Sequence, residues 1–168
     1  MWFCVTQSIP ATTPEVVPEP EQSSTRTGWR MTFFATPYVV LPTVPGLREK
    51  LEAGIDLLDV GCGRGRVVNL LARAFPKSEV RGLDFSEEVI AAARNEADAW
   101  GLENAKFAVA DAARYTDRER YDVILIDVDN SPDEQLGDAN ASFYTEAGLT
   151  LAKRHLTDGG VLGVWSYA

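Results

Sequence analysis

The segment from Ile55 to Arg66, Ile-Asp-Leu-Leu-Asp-Val-Gly-Cys-Gly-Arg-Gly-Arg, constrains the fold of this chain more than any other part of the sequence. Its apolar residues form a short run that is typical of a buried strand, and glycines follow it at alternate positions. Such a turn lets the backbone approach a ligand closely, and a helix that begins after it offers free N–H groups at its N-terminus. The segment therefore predicts a strand, a ligand-binding turn and a helix, with a nucleotide-like cofactor as the ligand.

Strand and helix patterns alternate along the rest of the sequence. The predicted strands are residues 55–60, 79–83, 105–110, 121–126 and 161–165, and the predicted helices are residues 45–52, 64–75, 86–100 and 139–156. Gly159 and Gly160 are predicted to turn the chain before the last strand. Strands separated by helices indicate a parallel sheet with right-handed crossovers. We therefore predict an α/β fold with a doubly wound sheet.

Length and charge narrow the class of protein. The 168 residues suit one domain, and the net charge of −9 argues against a nucleic acid or an anionic membrane as the partner. No apolar run is long enough for a transmembrane helix. Two cysteines and one histidine favour neither a disulfide framework nor a metal site, and they fit a cytoplasmic protein.

The N-terminal part differs in composition from the rest. Residues 6–27 are rich in Pro, Thr, Ser and Glu, which predicts a disordered or extended leader over residues 1–28 and a folded domain over residues 29–168. An aromatic patch over residues 29–41 has two interpretations. It is either a segment that packs on the core or a lid over the bound ligands.

Each of the first four predicted strands ends near a carboxylate: Asp59, Asp84, Asp111 and Asp127. In an open parallel sheet, ligands bind at the carboxyl ends of the strands, near the point where the strand order reverses. An acid at the end of the second strand suits the two hydroxyls of a ribose, and Asp84 lies 19 residues after Gly65. The pairing of a glycine turn with this acid is more specific than the glycines alone.

Two cofactor classes compete for the turn. A dinucleotide prefers Gly-x-Gly-x-x-Gly, but here Gly61, Gly63 and Gly65 alternate, and Arg66 stands where the third glycine of that pattern belongs. Asp59 would repel a pyrophosphate and attract an ammonium group. S-adenosylmethionine carries an ammonium, a sulfonium and a ribose but no phosphate, so it fits this turn better.

Four motifs in order then resemble those of the class I S-adenosylmethionine-dependent methyltransferases. They are Asp59–Gly65, Gly82–Arg94, Val109–Ala112 and Tyr121–Asp127, and the resemblance covers residues 46–166. It implies a Rossmann-like, mostly parallel sheet in the order 3-2-1-4-5, with helices on both faces. It also implies a methyltransferase that uses S-adenosylmethionine and a small-molecule acceptor.

The resemblance implies a role for each matching residue. The methionine part of the cofactor would be held by Asp59 and by the turn that comprises Gly61, Cys62, Gly63 and Gly65. Asp84 would bind the ribose hydroxyls, and Phe85 would flank the adenine. Asp111 would meet the adenine amino group, and Ala112 would supply a backbone contact. Asp127 would lie between cofactor and acceptor as the catalytic residue.

The last third of the chain also resembles spermidine-synthase-like proteins, in residues 126–133, 142–144 and 159–166. The true synthases transfer an aminopropyl group from the decarboxylated cofactor to a polyamine, a cationic acceptor that carboxylates would bind. The candidate carboxylates are Asp127, Asp129, Asp133, Glu134 and Asp138. Apart from Asp127, they are equally well explained as a solvated acidic loop before a helix. By contrast, Arg64 or Arg66 near the methionine tail would favour the intact cofactor. Both arginines are also explained as surface positions of a helix, and for Arg66 this explanation is at least as good.

The family's usual sheet ends in an antiparallel hairpin that this sequence lacks. Residues 161–165 would then form an apolar strand with a bare edge. Three interpretations are open: a truncated chain, an abbreviated family member, or a homodimer that forms through that strand. The missing hairpin also keeps open a third hypothesis, a non-catalytic module that retains the fold as a platform for cofactor binding or interaction.

Overall fold

A six-stranded sheet is the centre of the structure, a computed structural model that describes residues 2–6, 44–112, 115, 120–128 and 143–165. The strands in this part of the chain are β1 Trp2–Thr6, β2 Asp56–Val60, β3 Glu79–Asp84, β4 Ala105–Val109, β5 Tyr121–Ile126 and β6 Leu156–Trp165. The helices are α1 Leu47–Ala53, α2 Arg66–Ala74, α3 Glu87–Ala99 and α4 Glu146–Arg154.

The strand order is β1-β6-β5-β2-β3-β4. Strands β2 to β6 pair in parallel, and β1 pairs antiparallel with β6. The order of the five predicted strands, 3-2-1-4-5, is therefore confirmed. The chain runs outward from β2 to β4 and then returns to place β5 beside β2. This reversal puts the ligand-binding crevice of such sheets above the carboxyl ends of β2 and β5.

Both faces of the sheet are covered, because the strands are apolar on both sides. On the first face, Leu57 and Val123 pack with Val68 of α2 and Leu51 of α1. On the second face, the buried residues include Leu58, Val60, Leu83, Ile124, Ile126 and Leu162, and partly buried side chains of α4 pack against them. Helices on both faces are thus confirmed, and only α4 among the described helices contributes side chains to the second cluster.

The start of α3 agrees with the predicted helix over residues 86–100. Ser86 is the N-cap, and its hydroxyl accepts a hydrogen bond from the amide of Val89 at 3.5 Å. Glu87 and Glu88 lie in the first turn, where negative charge is favoured by the helix dipole. The helix therefore begins directly after β3 and fixes the end of that strand.

The prediction of a bare edge at residues 161–165 is wrong. Strand β1 occupies that edge, with Trp2 opposite Trp165 and Thr6 opposite Val161. The backbone groups of an edge strand need partners, and the first residues of the predicted leader supply them. The prediction of a homodimer through the last strand rested on this bare edge. The remainder of the leader and the aromatic patch over 29–41 lie outside the described residues.

The chain between α4 and β6 also differs from the prediction. Strand β6 begins at Leu156 and α4 ends at Arg154, so the predicted helix over 139–156 is too long at its C-terminus. Residues 139–142 lie outside the described residues. Gly159, at a φ of 76°, forms an irregularity within β6 and not a turn before it. This irregularity is a bulge at which β6 changes register against β5. Leu156 pairs with Tyr121 on one side of it, and Val161 pairs with Val123 on the other.

Candidate cofactor site

The glycine turn after β2 is held against the neighbouring strands. The amides of Gly61 and Cys62 both donate to the carbonyl oxygen of Leu83, at 2.9 and 3.0 Å. Gly61 has a φ of 85°, and a Cβ there would collide with the carbonyl oxygen of Asp127. The turn therefore needs glycine at this position, both for its backbone conformation and for the close approach of β2 to the end of β5.

Gly63 is the residue of the turn that has open space beside its backbone. It has a φ of 51°, and a Cβ at this position would meet no protein atom within 4 Å. Unlike at Gly61, no protein atom fills the space beside the backbone. A small residue next to open space at the crevice of the sheet leaves room for a ligand to touch the main chain.

Asp84 connects this turn to α3. One carboxylate oxygen, Oδ2, accepts from the amide of Gly63 at 3.0 Å, and Oδ1 accepts from the amide of Ser86 at 2.9 Å. Each carboxylate oxygen can accept more than one hydrogen bond. Asp84 therefore fixes the turn and keeps acceptor capacity for the hydroxyls of a ribose.

Asp59 and Asp127 carry perturbed carboxyl groups at the centre of the crevice. Asp59 is 4% exposed, and burial, together with the charges of Asp127 and Asp84, raises its pKa to about 8. Burial also raises the pKa of Asp127 to about 6. A cation placed beside them would favour the ionised form of both acids. The two carboxyl groups therefore fit an ammonium or sulfonium group and do not fit a pyrophosphate.

Cys62 points from the turn onto the sheet. A Cβ on Gly82 would lie 2.7 Å from its Sγ atom, so Gly82 of β3 makes room for the thiol. Burial and the neighbouring charges of Asp59 and Asp84 raise the pKa of Cys62 above its usual range. The thiol stays protonated, which suits a packing residue and not a nucleophile.

Two exposed apolar side chains lie beyond Asp84. Phe85 is 82% exposed and Val109 is 46% exposed, and the β3–β4 register places Val109 opposite Asp84. Asp111 follows at the end of β4 and is also exposed, whereas Ala112 is partly buried. Exposed apolar side chains at the ends of these strands, together with the carboxylate of Asp111, suit a planar base that carries an amino group.

The structure thus brings six of the predicted site residues together at one crevice: Asp59, Gly61, Cys62, Gly63, Asp84 and Asp127. Gly65 is buried at the start of α2, where a Cβ would collide with Phe107 and Ala93. Phe85, Asp111 and Ala112 lie at the ends of β3 and β4, on the adenine side of the predicted arrangement. The candidate acids Asp129, Asp133, Glu134 and Asp138 lie outside the described residues. Among the described residues, no cluster of three or more His, Cys, Asp or Glu side chains could hold a metal ion, and no described helix could cross a membrane.

Arg66 is used within the protein. Its guanidinium forms an ion pair with Glu96 at 2.8 Å and lies 5.1 Å from the ring centre of Trp100. Asn69 also donates to the Glu96 carboxylate, at 2.9 Å. Arg66 therefore joins α2 to α3, as expected of a surface helix position.

The sequence did not predict two features that hold the glycine turn. They are the carbonyl of Leu83, which accepts two hydrogen bonds from the turn, and the space above Gly82, which accommodates the thiol of Cys62. Neither involves a side chain with a recognisable chemical role.

Comparison with known proteins agrees with this geometry. A family model described as a methyltransferase domain matches residues 51–168. Malonyl-[acyl-carrier protein] O-methyltransferase of Bacillus cereus is 38% identical over 81 residues, which are 47% of this chain and 29% of that protein. The probable (S)-tetrahydroprotoberberine N-methyltransferase 2 of Papaver bracteatum is 33% identical over 79 residues, which are 47% of this chain and 22% of that protein.

A solved structure shares both the fold and part of the sequence. It is a SAM-dependent methyltransferase from Thiobacillus denitrificans in complex with S-adenosyl-L-homocysteine, 29% identical with a TM-score of 0.57. The match covers 76% of this chain and 47% of that chain. The chain spans less than a third of the length of the two curated relatives named above. Because the family model covers well over half of the sequence, including β2 to β5 and the glycine turn, the chain belongs to the methyltransferase-domain family.

Proposed function

We propose that this protein binds S-adenosylmethionine and transfers its methyl group to a small-molecule acceptor. The observation that carries the proposal is the arrangement at the carboxyl ends of β2 and β5. There, the buried acid Asp59 and the acid Asp127 lie beside a glycine turn whose Gly63 borders open space. Membership of the methyltransferase-domain family supports the same function.

The cofactor would lie along the crevice from Asp59 towards β4. Its ammonium group would pair with Asp59, and the backbone of Gly61, Cys62, Gly63 and Gly65 would contact the methionine part. The ribose hydroxyls would donate to Asp84, whose carboxylate the turn and α3 already hold in place. Phe85 would cover one side of the adenine, with Asp111 and Ala112 at its polar edge.

The bound cofactor supplies an electrophilic methyl group, so the protein needs mainly to position the acceptor and exclude water. Asp127 follows β5 directly, and its amide donates to the carbonyl of Val60 at 2.9 Å, which fixes it to the end of β2. Its carboxyl group would orient the acceptor or take its proton. The raised pKa of Asp127, about 6, allows it to be ionised and ready to accept a proton near neutral pH.

Calorimetry with S-adenosylmethionine tests the proposal. We expect the wild-type chain to bind the cofactor and Asp84→Ala to weaken binding at least tenfold, because the ribose loses charged hydrogen bonds. Asp98→Ala is the matched control, since Asp98 is an exposed acid on α3, away from the crevice. A folded wild-type sample that gives no heat of binding, or equal affinities for wild type and Asp84→Ala, would contradict the proposal.

Aminopropyl transfer and a non-catalytic role are the alternatives. The first requires tighter binding of the decarboxylated cofactor than of the intact one, and a rise in melting temperature with putrescine or spermidine. The second requires cofactor binding without turnover on any acceptor. Methyl transfer is preferred because Asp59 and the alternating glycines match the methyltransferase pattern.

Three narrower features complete the proposal. The carboxylates of the crevice and the net charge of −9 favour a cationic acceptor over an anionic one. A reducing cytoplasm suits the thiol of Cys62. A homodimer through an edge of the sheet would use the outer edge of β1 or of β4, since β6 is paired on both sides. Light scattering of the purified chain tests the dimer directly.

A further inference from the structure

Three neighbouring strands place Asp59, Gly82 and Phe107 in one row across the sheet. Asp59 of β2 pairs with Gly82 of β3, and Gly82 pairs with Phe107 of β4. Residues paired in this way point to the same face, and neighbouring strands lie about 4.8 Å apart. Because Gly82 has no side chain, it leaves a gap about one side chain wide between Asp59 and Phe107.

Cys62 of the glycine turn fills this gap. A Cβ at Gly82 would lie 2.7 Å from Sγ of Cys62, 3.0 Å from Cβ of Cys62 and 3.0 Å from Cδ1 of Phe107. The thiol also donates a weak hydrogen bond to the carbonyl oxygen of Gly63, at 3.8 Å. The side chain that occupies the gap is thus joined to the residue of the turn that borders open space.

The ring of Phe107 also supports the start of α2. A Cβ at Gly65 would lie 2.5 Å from Cε1 and 2.7 Å from Cζ of Phe107, and 2.6 Å from Cβ of Ala93. Gly65 is therefore in close contact with both the ring and α3. Arg94 of α3 donates to the carbonyl oxygen of Phe107 at 2.7 Å, which ties the helix to β4. The ring thus lies against two points of the turn, the gap that Cys62 fills and Gly65.

We propose that Phe107 and Gly82 are positioning residues for the cofactor. The ring of Phe107 and the missing side chain of Gly82 together set how deeply the turn lies on the sheet. The turn then presents the backbone of Gly63 to the methionine part at a fixed distance. This inference rests on the proposed function, and both residues act through the turn and not on the cofactor itself.

Gly82→Ala places a wedge beneath the turn. The φ of Gly82 lies outside the left-handed region, so an alanine meets no backbone strain there. Rotation of the thiol relieves the contact with Sγ of Cys62 but not the contact with its Cβ, so the turn or the ring must move. We expect Gly82→Ala to bind S-adenosylmethionine about tenfold more weakly, because small displacements of binding groups are costly.

Gly160→Ala is the matched control for this wedge. Gly160 is also a buried strand glycine without a left-handed φ, and a Cβ there would lie 2.9 Å from the carbonyl oxygen of Thr157. It lies in the bulge of β6, away from the carboxyl ends of β2 and β5. Both variants should have a lower melting temperature than wild type. Only Gly82→Ala should lose affinity, as measured by calorimetry at a temperature at which every variant is folded.

A second substitution tests whether Cys62 transmits the displacement. Cys62→Ala removes the Sγ atom, which would lie closest to the new Cβ. The double variant Gly82→Ala/Cys62→Ala should therefore bind S-adenosylmethionine at least about threefold more tightly than Gly82→Ala. A general loss of stability would not be relieved by a second truncation, so this rescue is specific to the positioning role.

Phe107→Leu tests the ring, with Phe75→Leu as its control. A leucine lacks the Cε1 and Cζ atoms that lie nearest Gly65, so it leaves space beneath the turn. Phe75 packs in the same apolar cluster but lies at the other end of α2. We expect both variants to unfold at a lower temperature than wild type. Only Phe107→Leu should bind the cofactor more weakly, by about threefold or more.

The outcomes separate this inference from the proposed function. If folded wild type does not bind S-adenosylmethionine, the proposed function itself fails. If wild type binds and Gly82→Ala or Phe107→Leu keeps its affinity while its melting temperature falls, that residue serves only the fold and its positioning role is wrong. If the double variant binds no better than Gly82→Ala, Cys62 does not link the gap to the cofactor. If Gly82→Ala does not fold, Phe107→Leu and its control decide the question.

Discussion

The Asp84 carboxylate accepts a hydrogen bond from the amide of Gly63 at 3.0 Å, so the acid at the end of β3 holds the turn at the end of β2. Its second oxygen holds the amide of Ser86, at the start of α3. An acid predicted to bind a ribose therefore has a structural role as well. The turn, the strand end and the helix N-terminus form one unit even without a ligand.

Replacement of Asp84 by asparagine should affect stability and affinity together. The asparagine oxygen can accept from one of the two amides, but its NH₂ group then faces the other as a second donor. We expect Asp84→Asn to lower the free energy of unfolding by about 1–3 kcal/mol, the usual cost of a lost charged hydrogen bond. Urea denaturation measures this, with Asp98→Asn as the exposed control. Equal unfolding midpoints for the two variants would show that Asp84 does not hold the turn.

Asp59 should make the stability of the ligand-free protein depend on pH. Burial and the nearby charges of Asp127 and Asp84 raise its pKa from 3.8 to about 8, so the native state keeps this proton where the unfolded chain has lost it. The contribution is fully present below about pH 4 and is lost as the pH rises through about 8. We expect wild type to lose stability relative to Asp59→Asn from pH 5 to 8, with no further change above. Parallel stability profiles, measured by urea denaturation, would contradict the raised pKa.

Cofactor binding should release a proton from the same residue. At pH 6.5 an α-amino group is protonated, and its approach to Asp59 would favour the carboxylate. Calorimetry of S-adenosylmethionine binding in phosphate and in Bis-Tris should therefore give different heats, which correspond to release of up to one proton. The difference should nearly vanish in Asp59→Asn. Identical heats for wild type in the two buffers would place the ammonium elsewhere.

Gly63 should be required for the ligand and not for the fold. A Cβ at Gly63 meets no protein atom within 4 Å, and its φ of 51° costs an alanine about 1–2 kcal/mol. Gly101, with a φ of 65° and equally open surroundings at the end of α3, is the matched control. We expect Gly63→Ala and Gly101→Ala to lose similar stability, whereas only Gly63→Ala should lose most of its affinity for S-adenosylmethionine. Equal affinities would mean that the cofactor does not approach this backbone.

The central sheet and the crevice were predictable because their signals are local. About thirty residues of sequence contain the apolar run with Asp59, the alternating glycines and the acid Asp84, and each is recognisable from that stretch alone. The strand order follows from the parallel connections. Strand β1 was not predictable in this way. Five residues near the N-terminus pair with Val161–Trp165 at the other end of the chain, and nothing local specifies that partner.

The bulge at Gly159 escaped prediction because a glycine pair usually indicates a turn. Here the extra residues are accommodated between two paired positions of β6 and β5. The distance between α4 and the sheet was not predictable either. The apolar pattern of α4 and the strands predicts that they pack together, but it does not predict how closely they approach.

Strand β1 should protect the edge of β6. Without Trp2–Thr6, the backbone groups of Val161–Trp165 would have no partner on that side, and an unpaired apolar edge tends to pair with another chain. We expect a variant that lacks residues 2–6 to form dimers or larger species at micromolar concentration, as measured by light scattering after gel filtration. Cys4→Val is the control, because it keeps the strand and removes its thiol, so it separates edge pairing from disulfide formation. A truncated chain with the same mass in solution as Cys4→Val would show that β6 does not need this cover.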